Sequence, residues 1–124
     1  MSARIKLVAG DTRPPIYTHL VDVGGVISVA GATVRLKFRE AGTTTILQNM
    51  VGELLAGTVE ADGVTPDLSQ YPVAGSGGRV KFTFPNGALN IESGYYEGEI
   101  EITYADGSIQ TVYHKLKFSV RGEF

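Results

Sequence analysis

The chain has 124 residues, 43% of them hydrophobic and 19% charged, with no cysteine, so it can bury one core but builds no disulfide or thiolate metal site. One domain is expected over residues 1–124. A net charge of −2 gives no field that attracts nucleic acid or anionic lipid, so neither nucleic acid nor a membrane is expected as a partner.

Residues 1–10 contain no apolar stretch of signal-peptide length. No apolar run approaches the roughly 18 residues of a membrane helix. The first strand signals are residues 4–8 and 17–23, separated by Pro14-Pro15. Proline cannot donate to a ladder, so the break belongs at an edge or a crossover. The two stretches read as halves of one strand that changes sheets there. The clearest alternation follows: Val34, Leu36 and Phe38 point one way, and Arg35, Lys37 and Arg39 the other. That is a strand with an apolar inner face and a cationic outer face.

Residues 45–51 form a weaker strand. Glu53-Leu54-Leu55-Ala56 reads as a helical turn, kept short by Gly52 and Gly57. Residues 60–78 resist assignment and read as a long loop, with a short edge strand near Thr58-Val59; loops of that length tend to be functional. Gly75-Ser76-Gly77-Gly78 is rich in glycine but lacks the lysine and following helix of a phosphate loop, so it reads as a hinge. Residues 80–84 alternate as a strand.

Two strands close the chain. Tyr96, Gly98, Ile100 and Ile102 point inward against Glu97, Glu99 and Glu101. Val112, His114, Leu116, Phe118 and Val120 point inward against Tyr113, Lys115 and Lys117. Facing residues share a face, which requires a three-residue turn, Ala105-Asp106-Gly107, with Gly107 left-handed. The register then sets Ile100 opposite Val112 and Glu97 opposite Lys115. One of Tyr95 and Tyr96 is placed to hydrogen-bond back to the preceding crossover, or simply packs at the strand end. The sum is an all-β chain, an immunoglobulin-like antiparallel β-sandwich of about seven strands.

Chemistry is sparse. His19 and His114 lie on separate strands, too few for zinc. Asp62, Asp67 and Asp106 match no calcium-loop spacing. There is no nucleophile elbow, and Glu97, Glu99 and Glu101 read as a solvated face, not a cleft pair. Arg35, Lys37 and Arg39 lack the interleaved aromatics of a nucleic-acid surface. They read as a solvated face or a contact for an acidic partner protein. No metal, cofactor or catalysis is expected.

A family resemblance rests on several short motifs in order. Gly10-Asp11-Thr12-Arg13-Pro14-Pro15-Ile16 precedes Tyr17. Gly31-Ala32-Thr33-Val34-Arg35-Leu36-Lys37-Phe38 and Gly78-Arg79-Val80-Lys81-Phe82 follow. Ser93-Gly94-Tyr95-Tyr96-Glu97-Gly98-Glu99-Ile100, Asp106-Gly107 and Thr111 complete the set. Nearly the whole chain resembles the N-terminal, immunoglobulin-like domain family of upper baseplate proteins of long-tailed phages, although residues 60–78 are long for the pattern. The resemblance implies a non-catalytic virion protein, assembled in the host cytoplasm. It would be present in multiple copies and dock other tail, baseplate, neck or fibre components.

Candidate contacts are Pro14 and Pro15 at the break, Tyr71 in the long loop, and Arg121 and Phe124 at the C-terminal end. The alternative is a carbohydrate-binding module for a host surface, with Tyr113 and Tyr71 as platforms.

Overall fold

The computed structural model describes residues 4–112 and 115–122. The proline break acts as its chemistry requires. Strand β1 (Ile5–Val8) joins one sheet and, past Pro14-Pro15, β2 (Ile16–His19) joins another. The stretch 17–23 is divided again at Leu20. Beyond it, β3 (Val21–Asp22) and β4 (Gly25–Val26) make a two-stranded ribbon of their own.

The large sheet runs β1, β13 (Leu116–Arg121), β11 (Gly94–Thr103), β5 (Thr33–Glu40) and β6 (Gln48–Val51), with β12 (Ile109–Thr111) also on β11. The small sheet runs β2, β10 (Arg79–Phe82) and β7 (Glu53–Leu55). Inward side chains of both sheets meet in one buried cluster. The protein is therefore an all-β, immunoglobulin-like sandwich. Among the described residues its one departure from antiparallel pairing is β1 on β13, which is parallel.

Alternation explains the core. Val34, Leu36 and Phe38 are fully buried, while the intervening basic residues are half-buried. Phe38 sits at the centre, edge-on to Phe84 and Phe118 at 5.2 and 5.1 Å and stacked on Tyr96 at 5.2 Å. Such ring pairs add to the area they bury. Of the two tyrosines near the strand start, Tyr96 makes the corner: its hydroxyl donates to the Glu92 carbonyl at 2.7 Å. Burial, then the nearby Glu40 and Glu92 charges, push its phenol above the ordinary value.

Five sequence expectations need correction. Residues 53–55 are a strand rather than a helical turn, because Leu54 pairs with Val80 and the segment closes the small sheet. Tertiary pairing overrides a weak local preference there. The strand expected from residue 45 starts at Gln48, and the one expected to reach residue 84 ends at Phe82.

The glycine segment 75–78 is no hinge. Gly75, Gly77 and Gly78 are buried, and a Cβ on Gly77 would lie 2.1 Å from the Gly57 carbonyl oxygen. The segment is a seam where backbones touch.

The last correction concerns register. At the turn the expected pattern holds: Tyr104 N–H donates to Ser108 O, Val112 N–H donates to Ile100 O, and Gly107 has a φ of 88°. Farther along, Glu97 faces Lys117, not Lys115. Glu101 faces Thr111 and Gly98 faces Leu116, so three steps on one strand match five on the other, an excess of two. An even excess leaves the side chains of β13 on their expected faces, which is why Phe118 and Val120 remain buried. His114, expected inward, and Tyr113, expected outward, lie outside the described residues.

Candidate functional site

The two outer faces differ in their charges. On the large sheet, β11 lies between β5 and β13, so its glutamates have basic strands on both sides. Arg39 Nε donates to Glu97 at 2.9 Å and Lys37 Nζ to Glu101 at 3.0 Å. Lys115 Nζ reaches Glu97 from the other side at 3.8 Å. The stripe expected to meet solvent or an acidic partner protein thus meets an acidic strand of its own chain. Each exposed pair of this kind contributes under about 1 kcal/mol.

The small sheet's outer face is different. Ile16 in β2 and Leu20 just past its end are buried in the core, so the alternate residues Tyr17 and His19 point out. Their neighbours on β10 are Lys81 and Arg79, and beyond these lie Glu53 and Leu55 on β7. Lys81 leans toward β2, its Nζ 5.8 Å from the centre of the Tyr17 ring. Among the described residues neither Lys81 nor Arg79 has a carboxylate within ion-pair distance. Arg79 instead donates to the Ala56 carbonyl at 2.7 Å.

The long loop lies over part of this face. Short strands β8 (Thr58–Val59) and β9 (Pro66–Asp67) pair as a hairpin, so the strand expected near Thr58-Val59 exists but pairs with β9 rather than with either large layer. Asp62 ties the tip by accepting from the Val64 and Thr65 backbone N–H groups and the Thr65 hydroxyl. Those bonds hold its carboxyl below the usual range, the hydroxyl contributing most. Thr58 Oγ1 and His19 Nε2, 3.0 Å apart, join hairpin to sheet. Between them is a cleft of about 380 Å³, with Tyr17, His19 and Arg79 on the floor and Val59, Val64 and Pro66 above.

A second opening lies on the other side of β2. No strand among the described residues pairs with that edge. The gap between the two sheets there is a groove in two joined parts, of about 300 and 530 Å³, sharing Val21 and Val112. Ile100 and Leu116 line its depth; Val21 and Val23 stand exposed at its rim.

Of the residues singled out from sequence, only Pro15 joins this region, in a shallow depression beside Lys81. Pro14 is exposed in the same crossover. Tyr71 lies elsewhere: its carbonyl accepts from Gly57 N–H and its φ is 56°. Arg121 ends β13 beside Val8, on the large sheet. Phe124 lies outside the described residues. Sequence reasoning missed His19, Arg79 and Val21 as surface partners of Tyr17. The alternation Ile16-Tyr17-Thr18-His19-Leu20 signalled two outward rings, but nothing local placed them beside β10.

Among the described residues no group of three or more His, Cys, Asp or Glu is placed to hold a metal. No family model and no curated protein matches the chain. Among solved structures it is similar to CopC from Methylosinus trichosporium OB3b, at 15% identity and a TM-score of 0.46, over 99% of this chain and 88% of that one. A likeness of that degree carries no functional argument.

Proposed function

We propose that the chain is a docking module of a tailed-phage particle, seated in the tail, baseplate, neck or fibre assembly in multiple copies. It acts through contacts with other virion proteins and performs no catalysis. The observation that supports docking most is the outer edge of β2, which no strand among the described residues pairs, with Tyr17 exposed on β2 and Val21 and Val23 exposed just beyond it. Proteins normally blunt such an edge, because its free backbone groups invite another chain. The ordered motifs shared with the upper baseplate domain family support the phage setting. Replacing Tyr17, Val21 and Val23 together by Ser should deplete the protein from purified particles, counted by quantitative mass spectrometry. Unchanged copy number would count against docking through this edge. Tail and baseplate genes beside its own would support the phage setting, and metabolic genes would oppose it.

The cleft under the hairpin favours a second reading, a carbohydrate-binding module. Tyr17 offers a half-open ring, 62% exposed, beside His19 and Arg79 as polar groups. This moves the platform from Tyr71, which does not line the cleft, to Tyr17. A glycan array probed with the purified protein decides it: a binder lost on Tyr17→Ala supports the module, and no binder removes it.

A further inference from the structure

From the hydrogen-bond phase of β2 we infer that its free edge accepts one strand of a partner protein, extended and alternating acidic with apolar. The inference rests on the docking reading and adds the mode of contact and the partner's pattern.

The phase follows from one bond. Leu20 N–H donates to Gly78 O, so in this antiparallel pair Leu20 and Thr18 turn their backbone groups toward β10. Tyr17 and His19 alternate with them and must turn theirs away, where no strand of the described residues lies. A strand laid there gains about four backbone hydrogen bonds, two at each residue.

Side chains of that strand would follow the same alternation. Those opposite Tyr17 and His19 lie on the outer face, within reach of Lys81, which leans over the Tyr17 ring and has no carboxylate partner among the described residues. Carboxylates fit there. Those opposite Thr18 and Leu20 point into the groove lined by Ile100, Val112 and Leu116, where apolar groups fit. A second copy's β2 is a poor occupant, because its own Ile16 and Leu20 are already buried in its core at 3% exposure each. Of the other edge strands, β6 has Val51 in the open, with Ile46 and Leu47 exposed just before it, but its outward residues include none of the groove-lining residues Ile100, Val112 and Leu116. Depth and charge therefore single out β2.

The test is a titration of the full chain, ¹⁵N-labelled, with a synthetic decapeptide alternating Val and Glu, followed by NMR. The amides of Tyr17 and His19 should shift and gain protection from exchange, with those of β6 unmoved. A peptide with Lys for Glu should bind about threefold more weakly, the size of one exposed ion pair. In Lys81→Glu that preference should reverse. Methylating the peptide nitrogen that faces Tyr17 should weaken binding about tenfold.

Tyr17→Pro removes an outward N–H at an edge, where proline is tolerated, and should abolish binding with the thermal transition retained. If that variant unfolds, the Lys81→Glu reversal still decides. No shift at Tyr17 and His19 up to millimolar peptide overturns the inference, as does binding indifferent to the Lys81 charge. A dimer in sedimentation that Tyr17→Pro abolishes overturns the assigned occupant. Failure here with particle incorporation still sensitive to the Tyr17, Val21 and Val23 replacements leaves docking standing and removes only strand addition.

Discussion

The two outer faces of the sandwich both carry basic side chains and leave them in opposite conditions. On the large sheet an acidic strand is flanked by basic ones, and Glu97 takes cations from both sides. On the small sheet Lys81 and Arg79 lie beside Tyr17 and His19 with no ion pair among the described residues, and no strand among those residues pairs with the outer edge of β2. Charge count alone does not make a binding surface. A face whose charges answer one another is complete, and a face that ends on open backbone and exposed apolar groups has capacity left for a partner.

Five measurements test this contrast, beginning with the largest effect. Phe38 lies under the paired face, on the strand of Lys37 and Arg39, and touches Phe84 from the other layer. Phe38→Ala should cost about 3–5 kcal/mol in urea unfolding. Both faces should be lost in one transition; separate melting would mean that they are independent units rather than two sides of one core.

Gly77→Ala acts only on the open side. Its Cβ would collide with the Gly57 carbonyl, which is backbone and cannot swing away. A loss of about 1–3 kcal/mol is expected. The largest amide shifts should fall in the hairpin of β8 and β9, with the Glu97 region unmoved.

Tyr96→Phe removes the corner hydrogen bond and should cost about 1 kcal/mol at neutral pH. The pH dependence has a defined sign. The folded phenol is raised above 10.0, so its contribution is complete below about pH 10 and is lost as pH rises through the folded value. The stability gap between wild type and Tyr96→Phe should therefore narrow in alkali.

The smallest effects separate the two faces directly. A double-mutant cycle on Arg39 and Glu97 should return about 0.2–1 kcal/mol of coupling. Val23→Ser and Tyr17→Ser should each change stability by under about 0.5 kcal/mol, since both side chains are exposed. A substantial loss of stability at Tyr17 would mean that the open face is structural, and the contrast would fail.

Much of the sandwich was legible beforehand. Strict alternation from Val34 to Phe38 and from Tyr96 to Ile102 marked the large sheet's inner face, that from Val80 to Phe82 marked the small sheet's, and Pro14-Pro15 marked the change of sheet. The candidate face was legible only in part. Tyr17 and Pro15 were visible, but not that β10 and the β8–β9 hairpin would surround Tyr17. The leucines of residues 53–55 misled for a similar reason: whether a short apolar stretch coils or extends depends on the strand beside it.

The sequence by itself determined which side chains face inward, where the chain changes sheets and what turn joins β11 to β12, because these follow from two-residue alternation, proline's missing donor and glycine's access to positive φ. Only the tertiary structure decided which strands are neighbours. Pairing β5 with β11 cancelled the charges on one face. Leaving β2 without an outer neighbour among the described residues opened the other, because hydrogen-bond partners and compensating charges come from residues far apart in the chain.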